Sequence, residues 1–173
     1  MALGNSHILG PPVETLYFDV LQFLYHLALA VLVGGSLALG AAAAPAIFAG
    51  ARSRSEAGTI FGAALARFDG LAIFAVILLA VTSFLKATSF EVTGAPEPRL
   101  LARWGALLLL GVGTFYSSAW ANPVARSIRA STPGFDDLAT SAPARAEFAK
   151  LHESSRRAMS FAAVAGLVAL FLS

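Results

Sequence analysis

The sequence predicts an all-α polytopic membrane protein with four transmembrane helices in an up-down antiparallel bundle, and three observations carry that expectation. Hydrophobic residues make up 57% of the chain and charged ones only 13%, too apolar a balance for a surface that faces water on every side. Four stretches are nearly free of charge on the scale of a membrane span, which needs roughly 20 apolar residues. Short polar joints separate them, as loops would.

The first stretch, residues 20–51, has His26 as its one side chain that can carry a charge near neutral pH. Residues 1–19 hold no Lys or Arg, so the basic opening of a secretory signal is missing and this run is read as a retained helix. The second stretch runs over 70–85 and past Lys86 to Phe90, the third over 104–125, and the fourth over 158–173. The patterns before Gly70 and Ala158 keep apolar residues at helical spacing, as in Phe61, Leu65 and Phe68 or Phe148 and Leu151. Helices 2 and 4 should therefore extend beyond the bilayer on the cytoplasmic side, where Glu153 and Arg157, four apart, suit a surface ion pair. Pro45 is expected to kink or end helix 1. The resulting division is an extramembrane tail over 1–15 and one transmembrane domain over 16–173, with helices at about 16–50, 57–90, 98–130 and 143–172.

Of the twelve Lys and Arg, nine lie in the joints after helices 1 and 3, between Arg52 and Arg67 and between Arg126 and Arg157. Lys86, Arg99 and Arg103 lie on the other side. The positive-inside rule puts the nine in the cytoplasm and both termini outside; in a bacterium this is the inner membrane. The same placement ties the basic residues to topology rather than to nucleic acid. With no Cys and two Met, disulfides, thiolate sites and thiol nucleophiles are excluded and soft-metal ligands are scarce. Any cofactor stays unspecified.

Polar side chains are costly in lipid, so their placement is the functional evidence. On helix 1, Gln22 and His26 share a face with Asp19, level with Thr82, Ser83 and Lys86 on helix 2. Toward the cytoplasm, Asp69 on helix 2, Thr114, Ser118 and Asn122 on helix 3, and His152 with Ser155 on helix 4 converge at one depth. The plain reading of the outer group is Asp19 and Lys86 as interfacial anchors with His26 hydrogen-bonded to a neighbouring helix, and that of the inner group a capped, hydrated helix end with Asp69 paired to an Arg. The sharper reading is a ligand site made by Asp69, Asn122, His152, Ser155 and Ser118, with His26 and Gln22 as an outer one. Gly34, Gly35, Gly40, Gly111, Gly113 and Gly166 mark helix-packing surfaces.

His26, Gly34-Gly35 and Pro45-Ala-Ile-Phe48, followed by Phe61 and Phe68-Asp69-Gly70, then Ala119-Trp120-Ala-Asn122-Pro123, then Phe148, Leu151-His152 and Ser154-Ser155, form an ordered series. It resembles the transmembrane protein 205-like family. The resemblance implies a four-helix membrane protein and supplies no established reaction.

Three functions follow as expectations. The first is a non-enzymatic protein that binds, and helps move, a small polar solute or cation within the bundle, with a homo-oligomer completing any pathway. The second is a haem protein with a single axial His26, since His26 and His152 lie on opposite sides of the span. The third is a structural or assembly subunit. Enzymatic motifs such as HExxH, a phosphate loop or a serine elbow are lacking, and no nucleic-acid partner is expected.

Overall fold

The computed structural model describes residues 12–92 and 94–173. Among these there is no strand, and four long helices carry the chain: α1 (Val13–Gly50), α2 (Arg54–Glu91), α3 (Pro98–Ser131) and α4 (Pro143–Phe171). The first three are long and apolar enough to cross a membrane, and the chain is an integral membrane protein on that evidence. In α4 the polar half up to Arg157 leaves Ala158–Phe171 as its apolar part.

The helix starts follow local chemistry. Ser53 caps α2 by accepting from the Glu56 N–H at 3.1 Å, while the Glu56 carboxylate reaches back to the Arg52 N–H at 2.8 Å, close to a capping box. Pro98 and Pro143 open α3 and α4, where a missing N–H costs nothing. Pro45 does not end α1; the helix continues to Gly50 and instead widens upstream into a π-helical stretch, Ala38–Ala43. A proline leaves the carbonyl one turn back without its donor, and a wider turn accommodates it. The same device recurs at Phe115–Ala121 just before Pro123 in α3. Two further wide turns, Ala30–Gly34 and Ala87–Glu91, precede no proline.

Contacts between helix ends fix the directions. Phe18 in the early part of α1 packs on Phe90 at the end of α2, Arg129 near the end of α3 bonds the Ser55 carbonyl at the start of α2, and Arg99 at the start of α3 bonds the Leu172 carbonyl just past α4. Neighbouring helices are therefore antiparallel. Their shared core is built from Tyr25, Leu29 and Leu32, Ala72, Ala75 and Leu79, Ala106 and Leu110, and Ala165 and Ala169. The outward faces are also apolar: Leu71, Phe74, Ile77, Val81 and Phe84 form an exposed stripe on α2, and Phe161, Val164, Val168 and Phe171 one on α4. Contiguous exposed apolar stripes of this size need a non-aqueous surrounding.

Small residues set how closely the helices approach. A Cβ on Gly113 would lie 3.0 Å from the Ala158 carbonyl oxygen and 3.1 Å from the Ala162 Cβ, atoms fixed by the α4 backbone. By contrast Gly34 and Gly40 face open space. We therefore expect Gly113→Val to lower stability by about 2 kcal/mol through overpacking, and Gly40→Ala to be neutral or to stabilise by a few tenths. Thermal unfolding in mild detergent compares the two.

The α3–α4 loop is tied down at Asp136, outside the apolar layer. Its carboxylate accepts from the Ser55 hydroxyl at 2.5 Å and from Arg129 at 2.8 Å, while Arg145 donates to the Phe135 and Asp136 carbonyls and Phe135 packs on Phe148. The Ser55 hydrogen bond, then the Arg129 charge, hold the Asp136 pKa below the ordinary 3.8. A carboxylate whose folded pKa is depressed adds stability above its unfolded pKa and loses it as pH falls through the folded one. Loop protection against a protease active in acid should accordingly fall below pH ~4, and Asp136→Asn should show the weaker protection already at neutral pH.

Candidate functional site

Two polar clusters lie between the helices. The inner one joins α2, α3 and α4. Asp69 is buried; its Oδ1 accepts from Asn122 Nδ2 at 2.8 Å and its Oδ2 from the Arg126 guanidinium at 2.6 Å. Ser155 donates to Asn122 Oδ1 at 2.6 Å. Its one hydroxyl proton is thereby used, so Ser117 donates to Ser155 Oγ across 2.6 Å. The second Asn122 N–H reaches Ser117 Oγ at 3.4 Å. The chain of donors closes on itself and the carboxylate charge is met by Arg126, whose side chain is 37% exposed against 5% for Asp69.

This cluster assembles part of the expected inner site. Asp69, Asn122 and Ser155 meet; Ser118 is buried, but its hydroxyl has no partner among the described residues. Ser117 takes its place. In an α-helix Ser118 and Asn122 share a face and Ser117 does not, but the wide turn at Phe115–Ala121 shifts the phase so that residues five apart align. The Pro123 signal was in the sequence; the phase shift it produces was the missing step. His152 does not join Asp69. It is exposed, with its ring stacked on Phe148 at 6.1 Å, while Leu151 and Ser155 hold the buried face of α4.

The outer cluster joins α1, α2 and α3. Lys86 is buried and donates to Gln22 Oε1, and it lies 3.4 Å from the Glu91 carboxylate, which also receives the Arg103 guanidinium. Lys86 and Glu91 are five apart, a spacing that an α-helix turns about 140° from register. The wide turn Ala87–Glu91 brings them together. Both cations sit near the ring of the fully buried Tyr25, Lys86 Nζ at 4.6 Å and Arg103 Cζ at 5.8 Å from its centroid, an arrangement that favours cations electrostatically.

The outer cluster does not balance. Side-chain exposures are 3% for Lys86, 7% for Arg103 and 17% for Glu91, so two screened cations share one carboxylate. Asp19 is exposed and makes no ion pair with them among the described residues. Tyr25 Oη, Arg103 Nε and the nearby Ser83 Oγ are buried and have no hydrogen-bond partner among the described residues, each a cost of about 1–3 kcal/mol. His26 stands at the rim, its Nδ1 bonded to the Gln22 carbonyl at 2.9 Å and its Nε2 to Ser173 Oγ at 3.1 Å. Neither nitrogen is left for an iron in this arrangement. Among the described residues no three His, Asp or Glu side chains group closely enough to hold a metal ion.

The inner ion pair gives an asymmetric expectation. Arg126→Leu strands a buried carboxylate and should cost about 3 kcal/mol. Asp69→Asn leaves a half-exposed guanidinium that can turn to water, and should cost about 1 kcal/mol. Unfolding midpoints of the two variants, measured side by side in detergent, check the order.

Compared with known proteins, residues 27–132 match the family model described as a domain of unknown function, DUF4149. No curated protein and no solved structure matches the chain.

Proposed function

Starting from the premise that this chain belongs to the DUF4149 family, we propose that it is a four-span membrane protein that binds a small anionic group at Lys86, Arg103 and Tyr25. The observation that carries the reading is the charge imbalance: two buried cations against one carboxylate, with unpartnered donors on Tyr25 and Arg103. A bound anion would supply both the missing charge and the missing acceptors.

The inner cluster supports a cation or solute site less well. Asp69 already has Arg126 and Asn122, so an incoming cation would have to displace a bonded guanidinium. We read that cluster as the fastening of α2 to α3 and α4. A single-His26 haem is likewise less favoured, because both ring nitrogens are engaged. The binding reading involves no catalytic step.

The outward apolar stripe on α4 supports a fourth span. Its apolar part, Ala158–Phe171, reaches about 21 Å at ~1.5 Å per residue, and the long side chains of Arg156 and Arg157 extend the effective span by reaching for the headgroups. With nine of the basic residues on the cytoplasmic side, the anion site lies in the outer half and both termini face out. The motifs from Gly34 to Pro123 that resemble transmembrane protein 205-like proteins fall within the matched segment, and we read the two as one lineage. A second copy of the chain would complete any transport path.

The test uses glycerol phosphate as probe and the thermal unfolding midpoint in detergent as readout. The midpoint should rise with the anion in the natural protein, rise more in Glu91→Gln, and stay flat in Lys86→Gln. A structural role would make both variants merely less stable. A midpoint raised by simple cations and not by the anion would sink the reading.

A further inference from the structure

Between α2 and α3 an open groove of about 710 Å³ runs along the surface, lined by Val76, Leu79 and Ser83 on one side and by Trp104, Gly111 and Tyr116 on the other. Its walls are almost wholly apolar along the middle. Ser83 and Trp104 mark one end, and there the buried Ser83 hydroxyl has no partner among the described residues. That end adjoins the cation cluster: Lys86 is one turn beyond Ser83 on α2, and Arg103 is next to Trp104 on α3. From Trp104 to Tyr116 the groove follows α3 for about 18 Å. The hydrocarbon of one leaflet is about 15 Å deep, half of the ~30 Å core.

We propose that the occupant is a membrane lipid with an anionic headgroup, its phosphate at Lys86, Arg103 and Tyr25 and one acyl chain in the α2–α3 groove. The inference rests on the anion reading and deepens it by naming the ligand class. Charge complementarity selects the headgroup, since the cluster holds an uncompensated positive charge. The groove selects the tail, because an apolar channel one leaflet long, whose Ser83–Trp104 end lies within one helical turn of Lys86 and Arg103 along α2 and α3, fits an amphiphile better than a free phosphate. Ser83, at the junction, is placed to donate to a glycerol or ester oxygen.

The experiment is native mass spectrometry of the full chain released from mild detergent. The protein is first incubated with equal amounts of phosphatidylglycerol and phosphatidylcholine bearing the same chains. The natural protein should retain one phosphatidylglycerol at least tenfold over phosphatidylcholine. Lys86→Gln should remove the preference. Ala80→Trp, at an exposed groove position away from the charges, should abolish retention of both lipids; its elution profile and unfolding midpoint report that it is folded. If Ala80→Trp is folded and still retains phosphatidylglycerol as the natural protein does, the groove is not the tail site and the inference is overturned, while a midpoint raised by glycerol phosphate leaves the anion reading standing. Equal retention of the two lipids by the natural protein also overturns it, and an unmoved midpoint with glycerol phosphate then takes the anion reading down as well.

Discussion

An ionised side chain held between lipid-facing helices has lost most of its water, so it must find its counter-charge and its hydrogen bonds within the same layer of the protein. Asp69 meets that demand in full: Arg126 supplies the charge and Asn122 the amide, whose own carbonyl oxygen accepts from Ser155, which in turn accepts from Ser117. Lys86 and Arg103 meet it in part, since Glu91 serves both. That difference is the ground for our proposal that one cluster holds the fold and the other receives an anion.

Both arrangements depend on wide helical turns. A straight α-helix would put Asn122 over Ser118 and would swing Glu91 away from Lys86. The π-helical stretches Phe115–Ala121 and Ala87–Glu91 change which residues meet. In α3 the cause is visible in Pro123, whose ring and missing N–H open the preceding turn. Small side chains then let the helices approach closely, as at Gly35 against Phe68, Gly166 against Val33 and Leu110, and Gly113 against the α4 backbone.

The all-α class and the membrane character were legible because composition and uncharged runs state them directly, and the DUF4149 match agrees with a chain of unknown chemistry. Asp69, Asn122 and Ser155 were legible as a group because charge and amide at one depth in lipid are rare. His152 was misplaced because a one-residue difference on a helix surface decides which side chain faces inward, and Ser155 with Leu151 took that face. Tyr25 carries no signal in the sequence as a site residue, Lys86 reads as an interfacial anchor, and Arg103 only as one of three cations on the outer side. Only the packing of α1 on α2 and α3 shows that both cations lie beside the Tyr25 ring.

The most direct test is a high-resolution density map of the protein in a lipid disc containing anionic lipid, read at the outer cluster. The account predicts density for a phosphate within hydrogen-bond reach of Lys86 Nζ, Arg103 Nε and Tyr25 Oη, continuing as a chain between α2 and α3. A map in which those atoms bond only water or other protein groups, with the groove empty of a continuous chain, would contradict it.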